Sequence, residues 1–294
     1  MRSEDFICNG NMVYHREFES WLEFIQKVEW LKREAVDGVH NGLRCNSILR
    51  EDPSWTGTRT LNEAIDLAYD GWPKGREFLT SLRDKISIEK LLPHSRRIIE
   101  ECDVSGDEPN IDLFLAGEPE HMSTLIEPAQ REGGKLVRIA VNRSVTHRVY
   151  PQQIGRKGMA ILLAMETLIM LGYSLELTIV VACRNDYREV HEFTVPVLHA
   201  GDPISLDTFA FMLMHTAVHR RLSFAVKETE SREIRERFEF HSGGDFSSSC
   251  EPRRLGEYDL VLKWDEGLLD YDSEVVPLAL SFLKRVGIDT SQAV

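Results

Sequence analysis

Along the first third of the chain, apolar residues return every third or fourth position. In REFESWLEFIQKVEWLKREAV, Phe18, Trp21, Leu22, Phe24, Ile25, Val28 and Leu31 fall on one helical face. Thr60, with Glu63 three residues on, has the form of a capping box for a helix running towards Asp70, and the GWPKG turn leads into a further helix. These signals predict a mainly helical N-terminal region over residues 1–130, with a helical hairpin inside it. Trp21, Trp30, Trp55 and Trp72 read as core anchors of that region, the alternative being a stacking surface for bases.

From Leu136 the pattern changes. LVRIAV is a short, nearly continuous apolar run that suits a strand covered on both faces. GMAILLAMETLIMLG follows as a buried helix stopped by Gly172, and YSLELTIVVAC as a second strand. Strand, helix and strand in this order form a right-handed βαβ crossover with parallel pairing. SLDTFAFMLMHTAVHRRLSFAV reads as a helix entering a further apolar strand, ERFEFHS and EYDLVLKW as later strands, and SEVVPLALSFLKRVG as a closing helix. The expected architecture is an α/β domain over residues 131–294, with a parallel or mixed central sheet flanked by helices. The Gly pair in QREGGK marks its boundary.

Charge adds a local feature. The chain has 294 residues and a formal net charge of -13, yet residues 135–160 hold six Lys or Arg and no Asp or Glu. A pI near 5.3 speaks against general attraction to nucleic acid or anionic membrane, so anion binding must be local. The five cysteines are scattered and never form a C-x-x-C pair, which fits reduced thiols in a cytoplasmic protein. No signal peptide or membrane span is expected, because the most apolar run is interrupted by Glu166 and is too short.

The basic window overlaps a loop at the carboxyl end of the first α/β strand, where open sheets bind ligands. Asn142, Ser144 and Thr146 have the spacing of a D-x-S-x-S cation loop with its carboxylate missing, while Arg143, His147 and Arg148 bring positive charge. A divalent cation would be repelled there, so neither a metal nor any other cofactor is expected. Arginines, hydroxyls and a helix starting near IGRKGMA suit phosphate, with Arg156 and Lys157 at its positive end. No phosphate-binding glycine loop is present, which favours an extended polyanion over a single nucleotide. Arg220 and Arg221 extend the set if their helix lies alongside. The alternative is that these arginines pair with acids elsewhere in an acidic protein. Hydrolase signatures are absent, and Glu118, Glu120 and His121 in LAGEPEHM read as loop residues, so the chain is expected not to be an enzyme.

Together, VRIAVNRSVTHRV, GRKGMAILLAMETLIMLGYSLELTIVV and TFAFMLMHTAVHRRLSFAV resemble a degenerate von Willebrand factor A domain, in which a first strand ends in D-x-S-x-S. AYDGWPKG and FLAGEPEHM look similar to tailed-phage proteins that share this core. Within such phages, the acidity and the local basic window resemble a single-stranded-DNA-binding cofactor of a phage RNA polymerase. That resemblance implies a non-enzymatic protein of the host-cell cytoplasm that binds single-stranded DNA, recruits the polymerase to unwound promoters and self-associates on DNA, without a membrane partner. Arg138, Arg143, Arg148, Arg156, Lys157, Arg220 and Arg221 would then contact phosphates and Tyr150 would stack on a base. A regular strand points Arg138 away from Arg143. The competing expectation is an adaptor that uses the same fold to bind protein and ignores nucleic acid. A metal-dependent phosphate enzyme is a third.

Overall fold

The computed structural model describes residues 1–49, 52–83, 86, 99–126, 135–146, 148–241, 248–254, 256, 258–263 and 265–291. The chain opens on strands, which corrects the expected helical start. β1 (Arg2–Cys8) and β2 (Asn11–Glu17) form an antiparallel hairpin. Its turn residues Asn9 and Gly10 have φ of 50° and 79°, the two positive values a type I′ turn requires. Helices follow: α1 (Trp21–Glu34) capped by Ser20, α2 (Pro53–Thr56), α3 (Leu61–Asp70) and α4 (Pro73–Arg83), with a two-residue hairpin of β3 (Val39–His40) and β4 (Leu43–Arg44) after α1. Thr60 caps α3 by accepting the Glu63 N–H, as the spacing predicts. A small separate sheet, ordered β5 (Ile99–Asp103), β7 (Met122–Ile126), β6 (Glu108–Pro109), carries the short helix α5 (Ile111–Leu115).

β8 (Leu136–Asn142), α6 (Pro151–Met170) and β9 (Ser174–Arg184) form the predicted crossover, with Leu136 opposite Ser174 in parallel register. α6 starts earlier than expected. Pro151 presets its first turn, and Gln153 Oε1 accepts the Tyr150 N–H. At its other end Gly172 takes φ 84° and stops the helix. β10 (Val190–Leu198) returns antiparallel to β9 and pairs in parallel with β2. β12 (Leu260–Leu262) joins β8 in parallel, so the mixed sheet runs β1-β2-β10-β9-β8-β12, with β11 (Ser248–Ser249) added beside β9. Strands from both sides of the expected boundary at residue 131 therefore share one sheet.

Two expected strands are helical. LSFAV lies in a π-helical turn (Val218–Ser223) and α8 (Phe224–Glu228), and ERFEFH, the described part of ERFEFHS, is the end of α9 (Arg232–Arg237) with a turn at left-handed Glu239. Both follow α7 (Leu206–Met214) and precede α10 (Val275–Arg285), the predicted closing helix. A short buried run has too few residues for its period to separate strand from helix.

Alternate residues of β8 and β9, among them Ile139, Val141, Leu177 and Ile179, face the helices and form one continuous core with α1, α3, α6, α7 and α10. Phe18 and Phe24 close its N-terminal end, both against Phe193 of β10. Trp21, Trp30 and Trp72 pack on the same core, and Trp55 lies beneath the Arg220 guanidinium at 4.7 Å. A buried ionic chain ties β2 to β10 and the segment before α9. Glu230 accepts Arg16 Nε at 2.8 Å and lies 3.0 Å from His191 Nε2, and these neighbours outweigh burial to hold its carboxyl at about 2.

Candidate functional site

The loop after β8 is occupied by its own hydrogen bonds. Asn142 Nδ2 donates to the Cys250 carbonyl at 2.9 Å, and its Oδ1 accepts the Ser144 N–H. Ser144 Oγ accepts the Ala182 N–H at 2.7 Å. Asn142 and Ser144 are buried, and Thr146 is half-buried. The place of the cation-loop carboxylate is thus taken by an amide that fastens the β8 end to the chain at Cys250. His147 lies outside the described residues. Among the described residues no three His, Cys, Asp or Glu side chains gather as metal ligands.

The arginines and lysines expected to meet phosphate divide into two groups. Arg143 is 3% exposed and donates to the carbonyls of Leu213 and His215 at 2.8 and 3.2 Å. Arg220 is buried on the carbonyls of Trp55 and Val149, and Arg221 on those of Ser47, Leu49, Thr58 and Arg59. Lys157, in the second turn of α6 and not at its tip, is buried and donates to the Lys263 carbonyl. These four side chains are corrections to the sequence-based set. Each cation is consumed by main-chain acceptors, and none reaches the surface where a strand of nucleic acid would lie. The second group is accessible. Arg148 and Tyr150 are exposed. Arg156 pairs with Asp272 at 2.6 Å, and Arg138 with Glu176 at 3.3 Å on the opposite face of β8 from Arg143. Arg138 is therefore apart from the others, as strand alternation predicts.

The buried group charges the interior behind the loop. Burial pushes the Arg143 guanidinium down to about 10 and neighbouring Arg220 adds to this, with no carboxylate offsetting it. Burial also brings the Lys157 ammonium down to about 8, assisted by Arg143 and opposed by Glu266, Asp265 and Glu251. His215 is held near 4 by burial and Arg143, and His219 well below its usual value by burial and the surrounding cations. At neutral pH both imidazoles are uncharged beside protonated Arg143.

Directly in front of this region is a cavity of about 400 Å³ at the N-terminal end of α6. Pro151, Gln152 and Gly155 bring the positive end of the 20-residue helix to it, and Arg156 forms part of the wall. Trp72 and Phe78 supply aromatic faces, Met159 and Met214 an apolar floor, and His215 and Thr216 polar atoms. Gly57 closes it. Its φ is 82°, and a Cβ there would lie 2.4 Å from Thr216 Oγ1. A Cβ at Gly155 would meet only the Met214 carbonyl oxygen, at 3.9 Å, whereas Gly158 admits the Leu213 carbonyl of α7, so of the two glycines in the loop-to-helix segment only the first lines the cavity. The result is an aromatic, apolar pocket whose wall carries the Arg156–Asp272 ion pair, with the positive end of α6 and buried Arg143 behind, an arrangement that suits a planar, mainly apolar group. Sequence reading missed Phe78, Met159 and Thr216 as site residues. Trp72 in the GWPKG turn was the available signal, and it reads equally well as core.

The family described as "Domain of unknown function (DUF7192)" matches residues 7–251. No curated protein and no solved structure matches the chain.

Proposed function

The chain belongs to the DUF7192 family, and we propose that it is a non-enzymatic single-stranded-DNA-binding protein that serves a phage RNA polymerase as cofactor at unwound promoters. A base enters the cavity at the head of α6, and the adjoining phosphates lie along Arg148 and Arg156, with Tyr150 stacking beside them. The observation that carries this reading is the cavity: aromatic walls of Trp72 and Phe78, the positive end of α6, and buried Arg143 behind. Stacking on aromatic side chains combined with a local positive field is how single strands are held without base-specific readout. Arg143, Lys157, Arg220 and Arg221 contribute through that field and through the backbone they position, not by touching the strand. The partial sheet β10-β9-β8-β12, with β8, β9 and β12 parallel and β10 antiparallel, supports the von Willebrand factor A resemblance read from the sequence. The cavity lies at the head of α6, the helix that follows the loop leaving the carboxyl end of β8. The cofactor role extends the resemblance of the sequence to phage proteins, and the polymerase is the partner it implies.

The test is fluorescence anisotropy with a labelled oligothymidine strand and a matched duplex over a salt series, using Phe78→Ala and Arg148→Ala/Tyr150→Ala. Preference for the single strand, weakening with salt, and a loss of about tenfold per lost stacking contact are expected. Absence of strand binding at low salt overturns the reading. The same protein added to a phage polymerase on a duplex promoter and on a pre-opened one should stimulate transcription from the open template. The second reading, a protein-binding adaptor, is favoured by the apolar residues Ile111, Phe114 and Leu115 that α5 leaves exposed.

A further inference from the structure

Residues 99–126 form the small sheet β5-β7-β6 with α5 and pair with no strand of the main sheet among the described residues. This segment carries eight Asp or Glu and no Lys or Arg, in a chain whose total is -13. Four of its apolar side chains are exposed: Ile111, Phe114 and Leu115 by 67%, 59% and 77%, and Val104 in the turn after β5 by 66%. The helix presenting them is ordered locally. Asn110 Oδ1 accepts the Leu113 N–H, Phe114 meets the His121 ring edge to face at 5.2 Å, and His121 Nδ1 lies 2.8 Å from the Glu118 carbonyl. Large apolar residues grouped on the surface of a helix and surrounded by carboxylates mark a docking surface.

The complement of that surface exists in the same molecule. The cavity at the head of α6 is apolar and aromatic inside, has in its wall Arg156, paired there with Asp272, has exposed Arg148 three residues before Pro151, and is lined by no residue of 99–126. We propose that α5 of one copy of this chain docks into the cavity of a second copy, Phe114 and Leu115 entering beside Trp72 and Phe78 while the carboxylates around them face Arg148 and Arg156. The acidic arm offers the cavity what a single strand offers, an aromatic group with negative charge around it, so arm and strand exclude each other. That exclusion rests on the nucleic-acid reading above, whereas the association itself does not. The contact is heterologous, with a donating arm and an accepting cavity on every copy, so association without closure continues past the dimer.

The experiment is multi-angle light scattering of the full chain over a wide concentration series at low and high salt, without and then with an oligothymidine strand. The expected result is a mass that climbs with concentration, falls in high salt and falls again when the strand is added. Phe114→Ala/Leu115→Ala and, separately, Arg148→Ala/Arg156→Ala should each weaken association by at least about tenfold. Thermal melting checks that the exposed α5 substitutions leave the fold intact. A constant mass at every concentration overturns the proposal, as does association untouched by the α5 pair. If the α5 pair tightens strand binding with no change of mass, the occupant is the chain's own arm and the second-copy proposal falls. If it abolishes polymerase binding with no change of mass, the arm serves another protein and the proposal again falls. Salt-sensitive association lost in both variants, in a chain that binds no strand, would support the docking and remove the nucleic-acid reading instead.

Discussion

Glu228 shows how single side chains in this molecule answer to distant backbone. It is buried, and it accepts the Asn46 N–H at 2.7 Å, the Ser47 N–H at 3.2 Å and the Ser47 hydroxyl. Burial pushes its carboxyl up to about 7 against the pull of those bonds and of Arg235. The folded chain therefore binds the proton more tightly than the unfolded chain does. The stability this confers is complete below about pH 4.5 and is lost as pH rises through 7. Glu228→Gln keeps an oxygen for the two N–H donors and cannot ionise. The variant should gain melting temperature relative to the natural chain as pH passes from 4.5 to above 7, with the difference constant beyond. Parallel melts of the two proteins check this. His215 and Glu230 titrate in both and cancel in the comparison. An unchanging difference across that range would show that Glu228 stays ionised in the fold. Arg221 and Arg235 work in the same way from the opposite sign, each spreading one guanidinium over several main-chain carbonyls between His40 and Arg59.

At the level of elements, the crossing of α6 and α7 sets the cavity. Gly158 sits where α7 approaches most closely, and a Cβ there would fall 2.0 Å from the Leu213 carbonyl oxygen and 2.8 Å from Met214 Cα. That same carbonyl accepts Arg143 Nη1, so separating the helices also disturbs the buried cation. In an isolated helix Gly158→Ala would gain about 1 kcal/mol. Here the overpacking against backbone outweighs it, and a net loss of about 1–3 kcal/mol in urea unfolding is expected. A variant as stable as the natural chain would mean that α6 and α7 are farther apart than this packing requires. Strand binding by the same variant should weaken too, because Met159 and Met214 line the cavity from these two helices.

Across the whole molecule, the N-terminal region completes the α/β part. β2 extends the sheet beyond β10, Phe18 and Phe24 fill the core beside Phe193, and Arg16 neutralises Glu230. A chain consisting of residues 131–294 would leave the β10 edge unpaired and the Arg221 and Arg235 guanidinium groups buried without their carbonyls. Such a chain should show no cooperative urea transition by circular dichroism, where the full chain shows one. A cooperative transition in the shorter chain would restore the boundary at residue 131 as a true division.

Local patterns carried much of this architecture. The crossover β8-α6-β9, the Thr60 cap, the Gly172 stop and the closing helix α10 each depend on neighbours within a few turns, so residue order alone specifies them. The β1-β2 hairpin, expected as part of a helical region, has its local signal in the Asn9-Gly10 pair, while β1 is largely exposed and β2 buries four residues in a row, so β2 shows no alternating period. The positive charge of residues 135–160 is equally a property of sequence. Which of those cations meet solvent is not, because a guanidinium is buried or exposed according to the acceptors that remote segments bring to it. Leu213 and His215 hold Arg143, Lys263 holds Lys157, and residues 47–59 hold Arg221, while Arg148 and Tyr150 remain exposed. The cavity likewise joins α4, α6 and the end of α7, elements far apart in the chain, and becomes a site only when the core packs them together.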